Sequence, residues 1–188
     1  MHSISTPDWS TLPVPVDDGA ARHLPGLHLP AIPLPATSGP AVDLSVLPGR
    51  TVVYAYPLTG RPGEPNPPGW DAIPGARGCT PQSCAFRDRF AMFQVHGITH
   101  LFGLSTQPTI DQREAAQRLG LPFPLLSDES LALTSALRLP TFQVQGITLL
   151  KRLTLILRDG RIEHVFYPVF PPDQNAAAVL AWLPAHRP

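Results

Sequence analysis

Proline limits what this chain can fold into more than any other feature. It supplies 25 of 188 residues, roughly 13% where about 5% is usual. A proline has no backbone N–H to donate, so it is unwelcome in central strands and helix interiors. Regular structure must occupy the intervals between prolines. Full disorder does not follow, because apolar residues make up 43% of the chain and recur along its whole length. The length suits one domain with a real core. The formal net charge is zero, which leaves no long-range attraction to nucleic acid or to an anionic membrane surface. No run of about 18 apolar residues is present to span a bilayer. The first ten residues lack the basic and apolar regions of a secretory signal. Two cysteines are too few to staple a secreted scaffold. A cytoplasmic protein is expected.

Residues 1–22 hold three prolines, few large aliphatic side chains and no sustained periodicity. They are expected to form a flexible extension to a domain covering 23–188. The alternation of Leu and Pro at residues 24–35 suits edge strands of a hairpin turning at Ser38-Gly39. A polyproline-like linker is the alternative. Thr51-Val-Val-Tyr-Ala-Tyr56 reads as a buried strand. Residues 57–81 hold seven prolines and five glycines, and an irregular loop this long is either functional or disordered. Helical spacing begins near Thr80, puts Cys84, Phe86, Phe90, Met92 and Phe93 on one apolar stripe, and ends at Gly97. Further along, the pattern predicts a strand at 98–105, a helix at 109–119 stopped by Gly120, a strand at 123–126 and a helix at 128–137. A hairpin of 153–157 and 162–167 turns at Asp159-Gly160, and a last helix over 173–183 is capped by Asp173. Strands alternating with helices and ending in an antiparallel hairpin predict an α/β sheet of mixed direction.

Both cysteines fall in Gly78-Cys79-Thr80-Pro81-Gln82-Ser83-Cys84. A structural zinc needs about four ligands, and the nearest candidates, His96 and His100, lie across a helix and a turn, so no metal site is expected. A chance pair of buried cysteines is possible, since free cysteine behaves as a small apolar residue. Redox chemistry has the better physical reason. Cys79 sits where the loop becomes a helix, with Pro81 tolerated in the first turn. Unpaired N–H groups and the helix dipole there stabilise a thiolate and make it nucleophilic.

The segment Gly78-Cys-Thr-Pro-Gln-Ser-Cys-Ala-Phe-Arg-Asp88 resembles the active-site stretch of peroxiredoxins of the bacterioferritin-comigratory, or Q-type, subgroup. The likeness extends to Tyr56-Pro57, Phe102-Gly-Leu-Ser-Thr106, Leu125-Leu-Ser-Asp128 and Asp159-Gly-Arg-Ile-Glu-His-Val-Phe166, in consistent order over about residues 30–183. It implies a thioredoxin-like fold, which the order of elements fits, here with a β-hairpin extension at the N-terminal end and a Pro/Gly-rich loop inserted before the active-site helix. It implies a thiol-dependent peroxidase acting on hydrogen peroxide and organic hydroperoxides, with Cys79 peroxidatic, Cys84 resolving through an intramolecular disulfide, and Arg152 beside the thiolate. The partners implied are the peroxide and a thioredoxin- or glutaredoxin-type reductant, with no cofactor and a monomeric or weakly dimeric state.

One departure stands out. The family places a proline seven residues before the peroxidatic cysteine and a threonine or serine three before it, where this chain has Ala72 and Ala76. Residues 60–74 read as an insertion, so Thr59 is expected to fold back as substrate-binding hydroxyl donor. The alternative is a site running on backbone amides, Arg152 and Thr80. Arg77 and Arg87 flank the cysteines without a distinguishing signal. Trp70 either anchors the inserted loop or lines the substrate mouth. Two rival functions stay open: a thiol–disulfide oxidoreductase acting on protein partners, which four intervening residues disfavour, and a non-catalytic binding module.

Overall fold

Two short antiparallel strands, β1 (Pro33–Leu34) and β2 (Val42–Asp43), come first in the computed structural model, which describes residues 7–186. They are the expected hairpin, kept short by its prolines. β3 (Arg50–Ala55) then runs through the middle of the molecule with all six residues buried. After the loop come α1 (Cys79–Asp88), α2 (Phe90–Val95), β4 (Ile98–Ser105), α3 (Thr109–Leu119), β5 (Leu125–Ser127) and α4 (Ala132–Leu137). A hairpin of β6 (Thr141–Val144) and β7 (Ile147–Leu150) leads into β8 (Leu153–Arg158) and β9 (Arg161–Phe166), and α5 (Asn175–Trp182) follows.

Among the described residues the main sheet has the order β5-β4-β3-β8-β9. β3 pairs in parallel with β4 and antiparallel with β8, which gives the mixed sheet anticipated from the alternation of elements. Strand parity sorts side chains to two faces. Val53, Ala55, Leu155 and Leu157 meet the N-terminal hairpin and α4 on one side. Val52, Tyr54, Tyr56 and Ile156 meet α1, α2 and α5 on the other. The registered pair Tyr54↔Thr154 therefore points at α1.

Several expectations change. The helix expected from Thr80 to Gly97 is broken at Arg89, whose ψ is 8°. Phe86 and Phe93 keep buried places, whereas Met92 is 49% exposed. α4 starts at Ala132 because the Asp128 carboxylate accepts the backbone N–H groups of Leu133 and Thr134 ahead of the helix. Asp173 does not cap α5. It lies in a 3-10 turn (Pro172–Gln174), and its carboxylate accepts the indole N–H of Trp9 at 3.0 Å. The β6–β7 hairpin is not among the expected elements, although Gln145-Gly146 between two alternating runs is its signal.

The expected flexible extension is only partly described, since residues 1–6 lie outside the described residues. From Pro7 onward the segment packs on the domain: Trp9 meets Phe170 edge-on at 6.0 Å, Ala21 is buried, and Asp18 accepts from Lys151 Nζ at 2.7 Å and Tyr167 OH at 2.8 Å. Sparse aliphatics hid this, because the contacts come from one tryptophan, several prolines and an aspartate.

Candidate active site

The proline-rich loop becomes α1 at Gly78. Its φ of 106° lies in the left-handed region that favours glycine. A Cβ there would stand 2.7 Å from Trp9 Cη2 and 2.8 Å from Pro172 Cγ. Conformation and space both demand glycine at this position. The turn delivers Cys79 as the first residue of α1, where backbone N–H groups lack intrahelical partners and the dipole end is positive. Cys79 is only 4% exposed.

Arg152 reaches the same sulfur from the link between β7 and β8. It is 3% exposed, so a solvent-facing role is excluded. Its Nη2 donates to Cys79 Sγ at 3.2 Å, to the Ala76 carbonyl at 3.1 Å and to the Arg77 carbonyl at 3.3 Å. Its Nη1 donates to Gln82 Oε1. A buried guanidinium N–H aimed at sulfur stabilises negative charge there. Behind it, Gln82 Nε2 donates to Asn175 Oδ1 at 2.9 Å, and Thr154 Oγ1 donates to the same oxygen at 2.7 Å. Sequence reasoning missed Gln82, Asn175 and Thr154. Gln82 was the findable one, since it sits between the cysteines one turn beyond Cys79.

Tyr54 braces the middle of α1. Its ring stacks on Phe86 at 4.4 Å, and its hydroxyl donates to Ser83 Oγ at 3.1 Å. Burial pushes the Tyr54 phenol far above its ordinary range, so it remains a neutral donor. A Cβ on Gly103 would meet the Tyr54 hydroxyl at 2.8 Å, which explains the glycine in a buried strand.

The Thr59 hydroxyl, expected at the sulfur, is engaged elsewhere in this structure. Its hydroxyl donates to Gln107 Oε1 at 3.1 Å, and Gln107 Nε2 returns a bond to the Thr59 carbonyl at 3.1 Å. Among the described residues the bonds at Cys79 Sγ run to Ala76 O, at 3.7 Å, and from Arg152. The buried Gln107 amide claims the threonine because it needs partners for its own polar atoms. Of the alternative set of backbone amides, Arg152 and Thr80, Arg152 stands within bonding distance of the sulfur.

Cys84 follows on the same continuous helix and is 8% exposed. Burial pushes its thiol above the ordinary range, with Arg87 pulling partly the other way. Both cysteines are free thiols. Residues five apart on an ideal helix have Cα atoms about 8.6 Å apart and side chains rotated by about 140°. A disulfide needs Cα atoms within about 7 Å.

A cavity of about 370 Å³ opens at Cys79, Thr80 and Pro81, walled by Leu58, by Gly60, Arg61 and Trp70 of the inserted loop, and by Arg118. The loop is tied down: Arg61 pairs with Asp111, Arg118 Nη2 donates to the Gly60 carbonyl at 3.1 Å, and Arg77 Nη1 pairs with Asp71 at 2.7 Å. Trp70 is 4% exposed among Ala76, Val144 and Leu149, so it anchors the loop and borders the mouth at once. Arg87 turns away to Asp88 and the Leu119 carbonyl. A second, apolar cavity of about 340 Å³ lies on the flank of Arg152, between Val14–Val16 and Ile73–Gly75. No group of three or more His, Cys, Asp or Glu among the described residues is arranged to hold a metal ion. No helix among them is long and apolar enough to cross a membrane.

The sequence pattern of the redoxin family matches residues 24–180. The chloroplastic peroxiredoxin Q of Oryza sativa subsp. japonica is 33% identical over 144 residues, which cover 76% of this chain and 58% of the rice protein. This chain thus spans less than two thirds of that relative's length. Peroxidoxin BcpB from Mycobacterium tuberculosis superposes with a TM-score of 0.70 at 26% identity, covering 88% of this chain and 100% of the other. Peroxiredoxin Q from Xanthomonas campestris gives a TM-score of 0.66 at 26% identity, over 85% and 96% of the two chains.

Proposed function

This chain belongs to the redoxin family, as a peroxiredoxin of the Q type, and on that premise we propose that it is a thiol-dependent peroxidase in which Cys79 attacks and Cys84 resolves. The observation that carries the reading is the buried bond from Arg152 Nη2 to Cys79 Sγ at a helix N-terminus. A hydroperoxide enters the mouth beside Thr80. The Cys79 thiolate attacks its terminal oxygen, the O–O bond breaks, and the other oxygen leaves as water or alcohol after taking up a proton. Arg152 and the free backbone N–H groups of the first turn stabilise charge that moves from sulfur to the leaving oxygen. Cys79 becomes a sulfenic acid.

The Cys84 thiol then condenses with that sulfenic acid, forming the S–S bond and releasing water. A thioredoxin- or glutaredoxin-type dithiol reduces the disulfide by exchange and returns both thiols. Hydrogen peroxide and organic hydroperoxides are the substrate class. A reducing, cytoplasmic setting is part of the proposal, since each cycle needs a dithiol to return the disulfide to two thiols. The name of the rice relative places that protein in the chloroplast. A monomer or weak dimer suffices, because every group invoked comes from one chain.

Peroxide consumption with a thioredoxin system is the test. Cys79→Ser should abolish turnover, while Cys84→Ser should complete one turnover and accumulate sulfenic acid that dimedone labels at Cys79. Label at Cys84 in the unmodified protein would reverse the assignment. Reduction of protein disulfides without peroxide consumption would favour the oxidoreductase, and neither activity would leave a binding module.

A further inference from the structure

The proposed chemistry leaves residues 7–23 unused, although Trp9 among them lies at the start of α1 and all of them lie outside the stretch matched by the redoxin pattern. Trp9 opens a 3-10 turn (Trp9–Thr11) whose cap is the Asp8 carboxylate, accepting from Ser10 N at 3.0 Å. The indole is held on three sides. Nε1 donates to Asp173 Oδ2 at 3.0 Å, the ring meets Phe170 edge-on, and its far edge rests against Gly78. Pro172 touches Gly78 from the same 3-10 turn that carries Asp173. Further along, the segment continues to be held: Pro15 lies against Gly75, and Asp18 is bound by Lys151 and Tyr167.

We propose that Trp9 is a positioning residue that clamps the first turn of α1 and so sets how long oxidised Cys79 stays in its folded place. The proposal rests on the peroxidase reading above. Gly78 precedes Cys79 directly and accepts the first helical bond, from Gln82 N, so the indole packs on the residue at which the turn is hinged. The sulfenate has two fates. In the folded place it meets a second hydroperoxide: sulfur attacks the terminal oxygen, the O–O bond breaks, and sulfinate and alcohol or water result. In the unwound place the sulfenic acid condenses with the Cys84 thiol to a disulfide and water. The first removes the enzyme from the cycle and the second continues it. A tighter clamp therefore lengthens exposure to the second oxidant.

Trp9→Ala and Trp9→Phe, each in the full chain, test this. After peroxide pulses of rising concentration, intact mass gives the ratio of Cys79 sulfinate to disulfide. That ratio does not depend on how fast the first oxidation occurs. It should fall about tenfold in Trp9→Ala, equivalent to about 1.4 kcal/mol, and part of the way in Trp9→Phe, which keeps a ring but not the bond to Asp173. Amide exchange of the reduced proteins supplies a readout independent of peroxidase activity. Residues 78–86 should exchange faster in Trp9→Ala while β3 and β8 stay protected. An unchanged ratio with faster exchange would show that the clamp does not govern the partition. Unchanged exchange would show that there is no clamp, whatever the fate of the peroxidase reading. Loss of protection throughout β3 and β8 would make Trp9 a general stabiliser and overturn the proposal likewise.

Discussion

At the residue scale, the sulfur of Cys79 depends on one side chain from a distant part of the chain. Arg152 gives it a charge-assisted bond of the kind that contributes about 1.5–3 kcal/mol. Arg152→Met should therefore slow both iodoacetamide alkylation of Cys79 at neutral pH and peroxide attack by about 10- to 100-fold. Arg152→Lys should recover only part, because a point charge cannot bond Sγ, Gln82 and two carbonyls at once. Equal alkylation rates in the methionine variant would remove the arginine from the mechanism. Thr59 supplies the opposite case. Its hydroxyl serves Gln107, so Thr59→Val should keep the peroxide rate within about twofold and cost about 1 kcal/mol of stability by urea titration. A loss of rate matching that of Arg152→Met would restore the threonine to the site.

At the scale of elements, α1 carries both reacting sulfurs and cannot join them while it is intact. Disulfide formation requires the first turn to unwind. The first bond that must break is the one from Gln82 N to the Gly78 carbonyl at 3.0 Å; Pro81 costs the turn no bond, because first-turn N–H groups have no intrahelical partner. The loop before Gly78 offers slack. Hydrogen exchange should rise across residues 78–86 on oxidation, while β3 and β8, paired on both sides in the main sheet, stay protected. Equal protection of α1 in reduced and oxidised protein, with the disulfide verified by mass, would sink this mechanism. The same unwinding exposes Cys84, whose buried thiol is held in its neutral form until then.

At the scale of the whole molecule, one half-buried ion pair ties the central strand β3 and the edge strand β9 to the last helix. Arg50 of β3, 5% exposed, donates from Nε and Nη2 to Glu163 of β9 at 2.8 and 2.6 Å, and its guanidinium lies over the Trp182 ring. Burial pushes the Glu163 carboxyl up, but the bonds from Arg50 and Arg158 outweigh it and leave it below the ordinary range. A depressed carboxyl contributes stability that is present above the unfolded value, near 4.3, and is lost as pH falls through the folded one. Glu163→Gln should thus lower Tm by about 4–8 °C at pH 7, from about 2 kcal/mol. The gap should be smaller at pH 3 than at pH 7. A gap of equal size at both pH values would mean that packing, not charge, holds this corner.

The sequence by itself determined the strands at 51–55 and 98–105, the helix at 109–119 and the hairpin turning at Asp159-Gly160. Each is written in local periodicity and punctuated by a glycine or a proline, and local pattern needs no knowledge of the fold. It also determined which sulfur begins the active helix, since Gly78 and Pro81 mark a helix start. The inserted loop and the absent threonine were equally visible as departures in order and spacing. What replaces that threonine was not. Thr59 lies close enough in the chain to fold back, and only the packed structure shows Gln107 holding it, because a buried amide binds whatever hydroxyl the fold brings within reach. Gln82, Asn175 and Thr154 assemble behind Arg152 from a helix, a helix start and a strand separated by up to 93 residues. Trp9 reaches Asp173 across 164 residues. No periodicity records such contacts: they depend on the direction in which each element leaves the sheet, and that is decided by the tertiary packing alone.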